Sequence, residues 1–197
     1  MPNHQTIQID TKRLILRQWY ESDFYDFATI NADSEVMKYY PSVLSIGESD
    51  DLANKIKSKI EINGWGFWAV ELRENKQFIG FVGLNQPSYD LPVPQPANLK
   101  YPPCIEIGWR LSRKHWGNGY ALEAAKASLD YAFHTLKLNE VYSFTPVTNR
   151  KSWSLMVRLG MTDTHANFDH PVIPAGHPLS EHRLYKITQE CFLNESS

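Results

Sequence analysis

The residues of this chain whose types and spacing can do chemistry gather between Glu106 and Ala121. Lys114, Gly117, Gly119 and Ala121 form a Lys-x-x-Gly-x-Gly-x-Ala pattern, and the residues after it are apolar at Leu122, Ala125, Leu129, Ala132 and Phe133, which is helical spacing. The first turn of a helix carries backbone N–H groups with no partner inside the helix, at the positive end of the helix dipole. Glycines at 117 and 119 clear the side chains that would hold a ligand away from those donors, so the stretch predicts a cradle for a phosphate. Ahead of it, Ile105 to Leu111 has strand composition and Arg113-Lys114-His115 makes a short basic turn.

Several phosphate loops share that outline, and spacing separates them. A P-loop places Lys-Ser/Thr directly after its second glycine, and nothing of the kind follows Gly119. A dinucleotide fingerprint needs a small residue three positions beyond its second glycine, where this chain has Leu122. The remaining pattern resembles the pyrophosphate loop of the GNAT superfamily of acyl-CoA-dependent N-acyltransferases, with Lys114 where that family usually has Arg or Gln. The neighbouring segments Glu106-Ile107-Gly108-Trp109, Trp116-Gly117-Asn118-Gly119-Tyr120-Ala121 and Asn149-x-x-Ser152, ending in Leu159-Gly160-Met161, are similar to the branch of ribosomal-protein alanine and serine N-acetyltransferases. The resemblance covers roughly residues 9 to 189. It implies one α/β (α+β) domain over 1–197, with a mixed, mostly antiparallel central sheet, splayed fourth and fifth strands and flanking helices.

The elements that must position this loop follow from pattern. Thr11 to Trp19 alternates Leu14 and Leu16 against Arg13 and Arg17, a half-buried strand. Ser22 is placed to cap a helix whose pattern continues from Asp33 to Tyr40 and stops at Pro41, and Asp50 to Ile62 reads as another helix. Gly66 to Leu72 and Gln77 to Leu84 form a hairpin across Glu74-Asn75-Lys76. Gln86 to Pro103 holds six prolines and reads as a substrate-side loop. Leu138 to Pro146 is a strand, Asn149 caps a helix ended by Gly160, and Gly160 to Phe168 with Leu184 to Thr188 makes a last hairpin.

Composition excludes other classes. At 197 residues, 42% hydrophobic and with net charge −2, the chain has no field to attract nucleic acid. Cys104 and Cys191 lack metal-ligand spacing and suit a reducing compartment. No apolar run reaches the roughly 18 residues of a membrane span, and the first residues carry no basic-then-apolar leader. The expected location is the cytoplasm, away from membranes, as a monomer or homodimer.

The resemblance then assigns roles. Acetyl-CoA as co-substrate would meet Ile107, Trp109, Arg110 and Leu111 through their backbone, the loop Lys114, His115, Trp116, Gly117, Asn118, Gly119, Tyr120 and Ala121, and Asn149 and Ser152. A backbone N–H near the thioester would hold the developing oxyanion. An alkyl amine is protonated at neutral pH and needs a base. Glu106 is the candidate, its pKa open to being raised by aromatic neighbours such as Trp109; a charge on the outer face of the sheet is the alternative. Many relatives use a tyrosine seven residues after the capping asparagine as the acid, and this chain has Met156 there. Ser152 is the next hydroxyl on that helical face, unless it only bonds within its own first turn. Tyr39, Tyr40, His170 and His182 are candidate acceptor contacts or packing, the histidines also alternative bases. His165, His170, His177 and His182 do not have zinc-ligand spacing, so no metal is expected. The activity implied is N-acetylation of a primary amine, on a protein N-terminus, polyamine or amino sugar, by direct attack in a ternary complex. The rival is an acyl-CoA-binding module that has lost the chemistry.

Overall fold

The computed structural model describes residues 7–89, 91 and 104–195. They fall into two compact units: the chain up to Leu84 with Gly108–Ser128, and Asn85–Ile107 with the chain from Leu129 on.

In the first unit, β1 (Ile9–Asp10), β2 (Leu14–Arg17), β3 (Phe67–Leu72) and β4 (Phe78–Asn85) form an antiparallel meander, with Leu16 opposite Val70 and Trp68 opposite Val82. Strand β5 (Glu106–Leu111) follows β4 in the sheet, and its residues from Gly108 belong here. The hairpin and its polar turn are as the sequence predicts. Strand β2 departs from the prediction, because Leu14 to Arg17 are all buried rather than alternating. Arg17 is accommodated by Asp23 and Glu71, which accept its hydrogen bonds at 2.7 Å each. Trp19, Phe27, Phe78 and Phe81 fill the core, with Trp19 and Phe27 ring centroids 4.8 Å apart and edge-on.

Two helices cover this sheet. Helix α1 (Asp23–Ala32) is not capped by Ser22, whose side chain makes no capping bond; Asp23 instead accepts from the Tyr20 N–H at 2.8 Å. It also ends earlier than predicted, because Asp33 is extended and turns follow it. Helix α2 (Ile46–Asn63) begins four residues before the predicted start, because Ser45 and Glu48 form a reciprocal capping box.

In the second unit, β5 begins beside β6 (Glu140–Pro146) in the sheet's parallel pairing, a single pair of Glu106 with Tyr142. Beyond it, the Ser143 hydroxyl donates to the Ile107 carbonyl at 2.9 Å. Strand β9 (Glu181–Thr188) runs antiparallel to β6 and to the short β7 (Thr162–Asp163) and β8 (Phe168–Asp169). It starts three residues before the predicted Leu184 and thereby brings His182 into the ladder. Helix α4 (Arg150–Arg158) and helix α5 (Gln189–Glu195) pack on β9. Helix α3 (Tyr120–Asp130), which follows the glycine loop, begins in the first unit and ends in the second. The sheet is therefore mixed and mostly antiparallel with flanking helices, as expected. Of the proline-rich loop only residues 86–89 and 91 are described; the rest of that expectation lies outside the described residues.

Candidate active site

A single turn of 3-10 helix (Arg113–His115) leads through the glycine loop, residues 116–119, into α3. Gly117 and Gly119 have φ of 78° and 79°, a region that disfavours side chains, and a Cβ on Gly117 would meet nothing within 4 Å. The Glu123 N–H is bonded to the Gly119 carbonyl at 3.0 Å, so the N–H groups of Tyr120, Ala121 and Leu122 precede the helical ladder and are open to an anion. The loop is held from behind. Trp116 Nε1 donates to the Leu111 carbonyl at 2.8 Å, and Asn118 Nδ2 spans the His115 and Trp116 carbonyls.

A clamp arrives from the other end of the chain. Arg13 donates Nη1 to the Asn118 carbonyl at 2.9 Å, pairs through Nε with Glu123 at 2.6 Å, and lies 4.6 Å over the Tyr120 ring. Thr11 Oγ1 and the Arg13 N–H also donate to Glu123. Burial alone would raise the Glu123 pKa, but these bonds outweigh it and hold the carboxyl below its usual range. The Glu123 charge is thus neutralised by Arg13 beside the glycine loop. His115 is pushed toward its neutral form by burial and by the charge of Lys114.

Also in the first unit, Arg110 is buried with its guanidinium 4.1 Å over the Tyr40 ring, and it donates Nη1 to Asn31 Oδ1 at 2.6 Å. Lys38 lies 6.0 Å over the Tyr39 ring.

In the second unit, the half-buried Glu106 carboxylate accepts from Asn85 Nδ2 at 2.6 Å. Cys104 packs with Leu91, Tyr142 and Leu184, and burial, then the charges of Glu106 and Glu140, push its thiol up to about 12. A thiol held protonated in this way makes a poor nucleophile. Asn149 caps α4 as predicted, its side chain accepting from the Ser152 N–H at 3.3 Å and donating to Thr145 Oγ1 at 2.9 Å. The Ser152 hydroxyl has no hydrogen-bond partner among the described residues, which disfavours the first-turn alternative for it. Met156 is 1% exposed and packs in the core.

The register of β9 collects an aromatic group. Pro146 and Phe168 both oppose His182, and His170 follows Phe168 by two residues, its ring 4.8 Å from that of His182. His182 Nδ1 faces the Ser180 carbonyl at 2.9 Å, so that nitrogen carries the proton. His170 Nδ1 accepts from the Val172 N–H at 3.4 Å, which leaves the proton of the neutral ring on Nε2, donated to the Tyr89 hydroxyl at 2.9 Å. Burial and the neighbouring His182 push His170 down to about 4. Burial, then the charge of Glu106, holds Tyr89 as the neutral phenol. His165 is exposed and His177 accepts from the Leu179 N–H; among the described residues no three His, Cys, Asp or Glu side chains are placed to hold a metal ion.

A sequence profile described as an acetyltransferase (GNAT) domain matches residues 13–162. The chain belongs to the GNAT acetyltransferase family. It is similar to the Bacillus subtilis (strain 168) protein named Uncharacterized N-acetyltransferase YnaD, at 29% identity over 93% of this chain and 98% of that one. It is also similar to FsC-acetyl coenzyme A-N(2)-transacetylase of Aspergillus fumigatus, at 32% identity over 83% of this chain and 68% of that one. Among solved structures, a GNAT-family acetyltransferase from Bacillus anthracis superposes with a TM-score of 0.74 at 26% identity, over 93% of this chain and 99% of that one.

This GNAT chain is therefore an acetyltransferase, and its family uses acetyl-CoA. The glycine loop fits the pyrophosphate of such a donor: the space before Gly117 is clear and three backbone donors follow it. Sequence reasoning missed three contributors. By pattern Arg13 is only the polar side of a strand. Tyr89 lay in a loop without period, and the Arg110 side chain was passed over in favour of its backbone. Arg13 and Glu123 lie 110 positions apart, and only the folded chain joins them. No helix among the described residues is long and apolar enough to cross a membrane.

Proposed function

We propose that this GNAT enzyme acetylates a primary amine by direct attack on acetyl-CoA in a ternary complex. The observation that carries the reading is the cradle at Gly117–Ala121, with two positive-φ glycines and a clamped first helical turn. Lys114 to Ala121 bind the pyrophosphate through backbone donors, Lys114 adding charge, while the backbone of Ile107, Trp109, Arg110 and Leu111 and the side chain of Asn149 align the pantetheine. Glu106 removes a proton from the acceptor ammonium, oriented by the bond from Asn85. The amine nitrogen bonds to the thioester carbonyl carbon, the C–S bond breaks, and the Ser152 hydroxyl gives its proton to the leaving thiolate while taking back the proton that the nitrogen sheds on becoming an amide. His170 is disfavoured as the base because its Nδ1 already accepts from the Val172 N–H and its Nε2 proton goes to the Tyr89 hydroxyl.

Calorimetric titration with acetyl-CoA, followed by thiol-release assays on peptide and small amines, tests the reading. Binding with turnover on one amine class is expected. Absence of binding would refute the cradle, and binding without turnover on any amine would refute the chemistry.

A further inference from the structure

Two buried arginines in the first unit are treated differently. Arg17 is 6% exposed and meets two carboxylates, Asp23 through both terminal nitrogens and Glu71 through Nε. Arg110 is 8% exposed and meets none among the described residues. Its one side-chain hydrogen bond there goes to the neutral amide oxygen of Asn31, itself fixed by a bond from Nδ2 to Ser49 Oγ at 2.9 Å. Arg110 Nε is buried with no hydrogen-bond partner. The faces of Tyr40 at 4.1 Å and Phe81 at 5.5 Å offer the cation partial compensation, but neither supplies a hydrogen-bond acceptor in the guanidinium plane.

A guanidinium is a planar fork whose Nε edge takes a carboxylate by two parallel bonds, and a buried cation left without an anion is costly to the fold. Nη1 is committed to Asn31, so the orphaned edge is the one that contains Nε. The ring stacked on the guanidinium is Tyr40, which is 36% exposed and is one of the residues that the sequence resemblance offers as an acceptor contact. We propose that Arg110 is the anchor for a carboxylate on the acceptor, so the amine acetylated is an amino-acid-like one. This rests on the function proposed above and narrows its substrate class. A polyamine is disfavoured by the same charge, since a second cation near Arg110 would meet repulsion with no carboxylate to relieve it.

The test measures thiol release at saturating acetyl-CoA for the wild-type enzyme and for R110Q, against the common L-amino acids, their matched α-amides and spermidine. At least one amino acid should be acetylated with kcat/KM tenfold or more above that of its amide. R110Q should raise the KM of the acid and shrink the acid-to-amide ratio towards one, with R110K in between, because a lysine keeps the charge but loses the fork. Equal use of acid and amide, preference for spermidine, or an R110Q enzyme that keeps the ratio while only its Tm falls would overturn the proposal. The wild-type acid-to-amide comparison stands even if R110Q fails to fold. If acetyl-CoA itself does not bind, the enzyme reading fails, and this inference fails with it. If it binds and only amines without carboxylates release thiol, this inference alone fails. Should no amine react although acetyl-CoA binds, thermal shifts decide: stabilisation of the wild-type protein by amino acids and not by their amides supports the anchor, and no such difference rejects it.

Discussion

The glycine cradle and the Tyr89–His170–His182 group are both assembled from polar and aromatic residues, but they are built on opposite plans. The cradle's working parts, Lys114 to Ala121, are consecutive, and their geometry comes from two glycines and a helix N-terminus. The aromatic group draws Tyr89, Phe144, Phe168 with His170, and His182 from four stretches; the β9 register brings Phe144, Phe168 and His182 together, and Tyr89 joins through His170. A site that is local in sequence tolerates drift in the rest of the fold, whereas one assembled by register changes with every strand that supports it.

Substitutions sharpen that contrast, beginning where the effect should be greatest. E106Q removes the proposed base, and kcat should fall by about 10²–10⁴-fold while calorimetry still detects acetyl-CoA binding; an unchanged kcat and pH profile would send the role elsewhere. G119V places a β-branched residue at φ 79°, where strain of about 1–3 kcal/mol is expected. Acetyl-CoA affinity should drop by about tenfold or more, and a folded variant that binds normally would remove the loop from the donor site. R13A leaves every loop residue in place but takes away the clamp on the Asn118 carbonyl. Because Arg13 is 44% exposed, the loss should be modest, about threefold to tenfold in Kd for acetyl-CoA.

The smallest effect concerns the other region. His170 has its pKa lowered from 6.5 to about 4, by burial and then by His182. A histidine whose folded-state pKa is depressed stabilises the fold fully above its unfolded value. That contribution disappears as pH falls from about 6.5 towards 4, because the unfolded chain takes up the proton first. Asp169, which acts on the adjacent His182 in the opposite sense, softens this dependence without reversing it. Thermal unfolding followed between pH 7.5 and 4.5 should show Tm declining in that window, and H170N should flatten the decline. A curve identical in the two proteins would show that the group is not held neutral.

The same contrast explains how much could be read from the sequence. Spacing alone reveals the glycine loop and the helix after it, the Asn149 cap and most strands, because each is decided by neighbours within a few residues. It failed where distant partners decide. Arg13 and Arg17 alternate with leucines as a solvent-facing pair would, yet one clamps Glu123 and the other is buried between Asp23 and Glu71. The start of α2 departs from the apolar pattern for a smaller reason, the Ser-x-x-Glu box at Ser45 and Glu48. Arg110 was invisible as a functional side chain, since only the finished packing shows a cation left with an amide where its counterpart has carboxylates.

The Arg13–Glu123 contact also bears on the order in which the protein matures. Closing a loop of about 110 residues is entropically slow compared with forming a helix. A chain emerging from the ribosome exposes Arg13 long before Glu123 exists, so the donor loop acquires its final tension only after more than half of the polypeptide has been made. The geometry of the glycine loop is thereby tied to long-range completion of the fold, and, in the binding mode proposed above, a tag or truncation that disturbs Arg13 would weaken acetyl-CoA binding without touching a residue of the glycine motif.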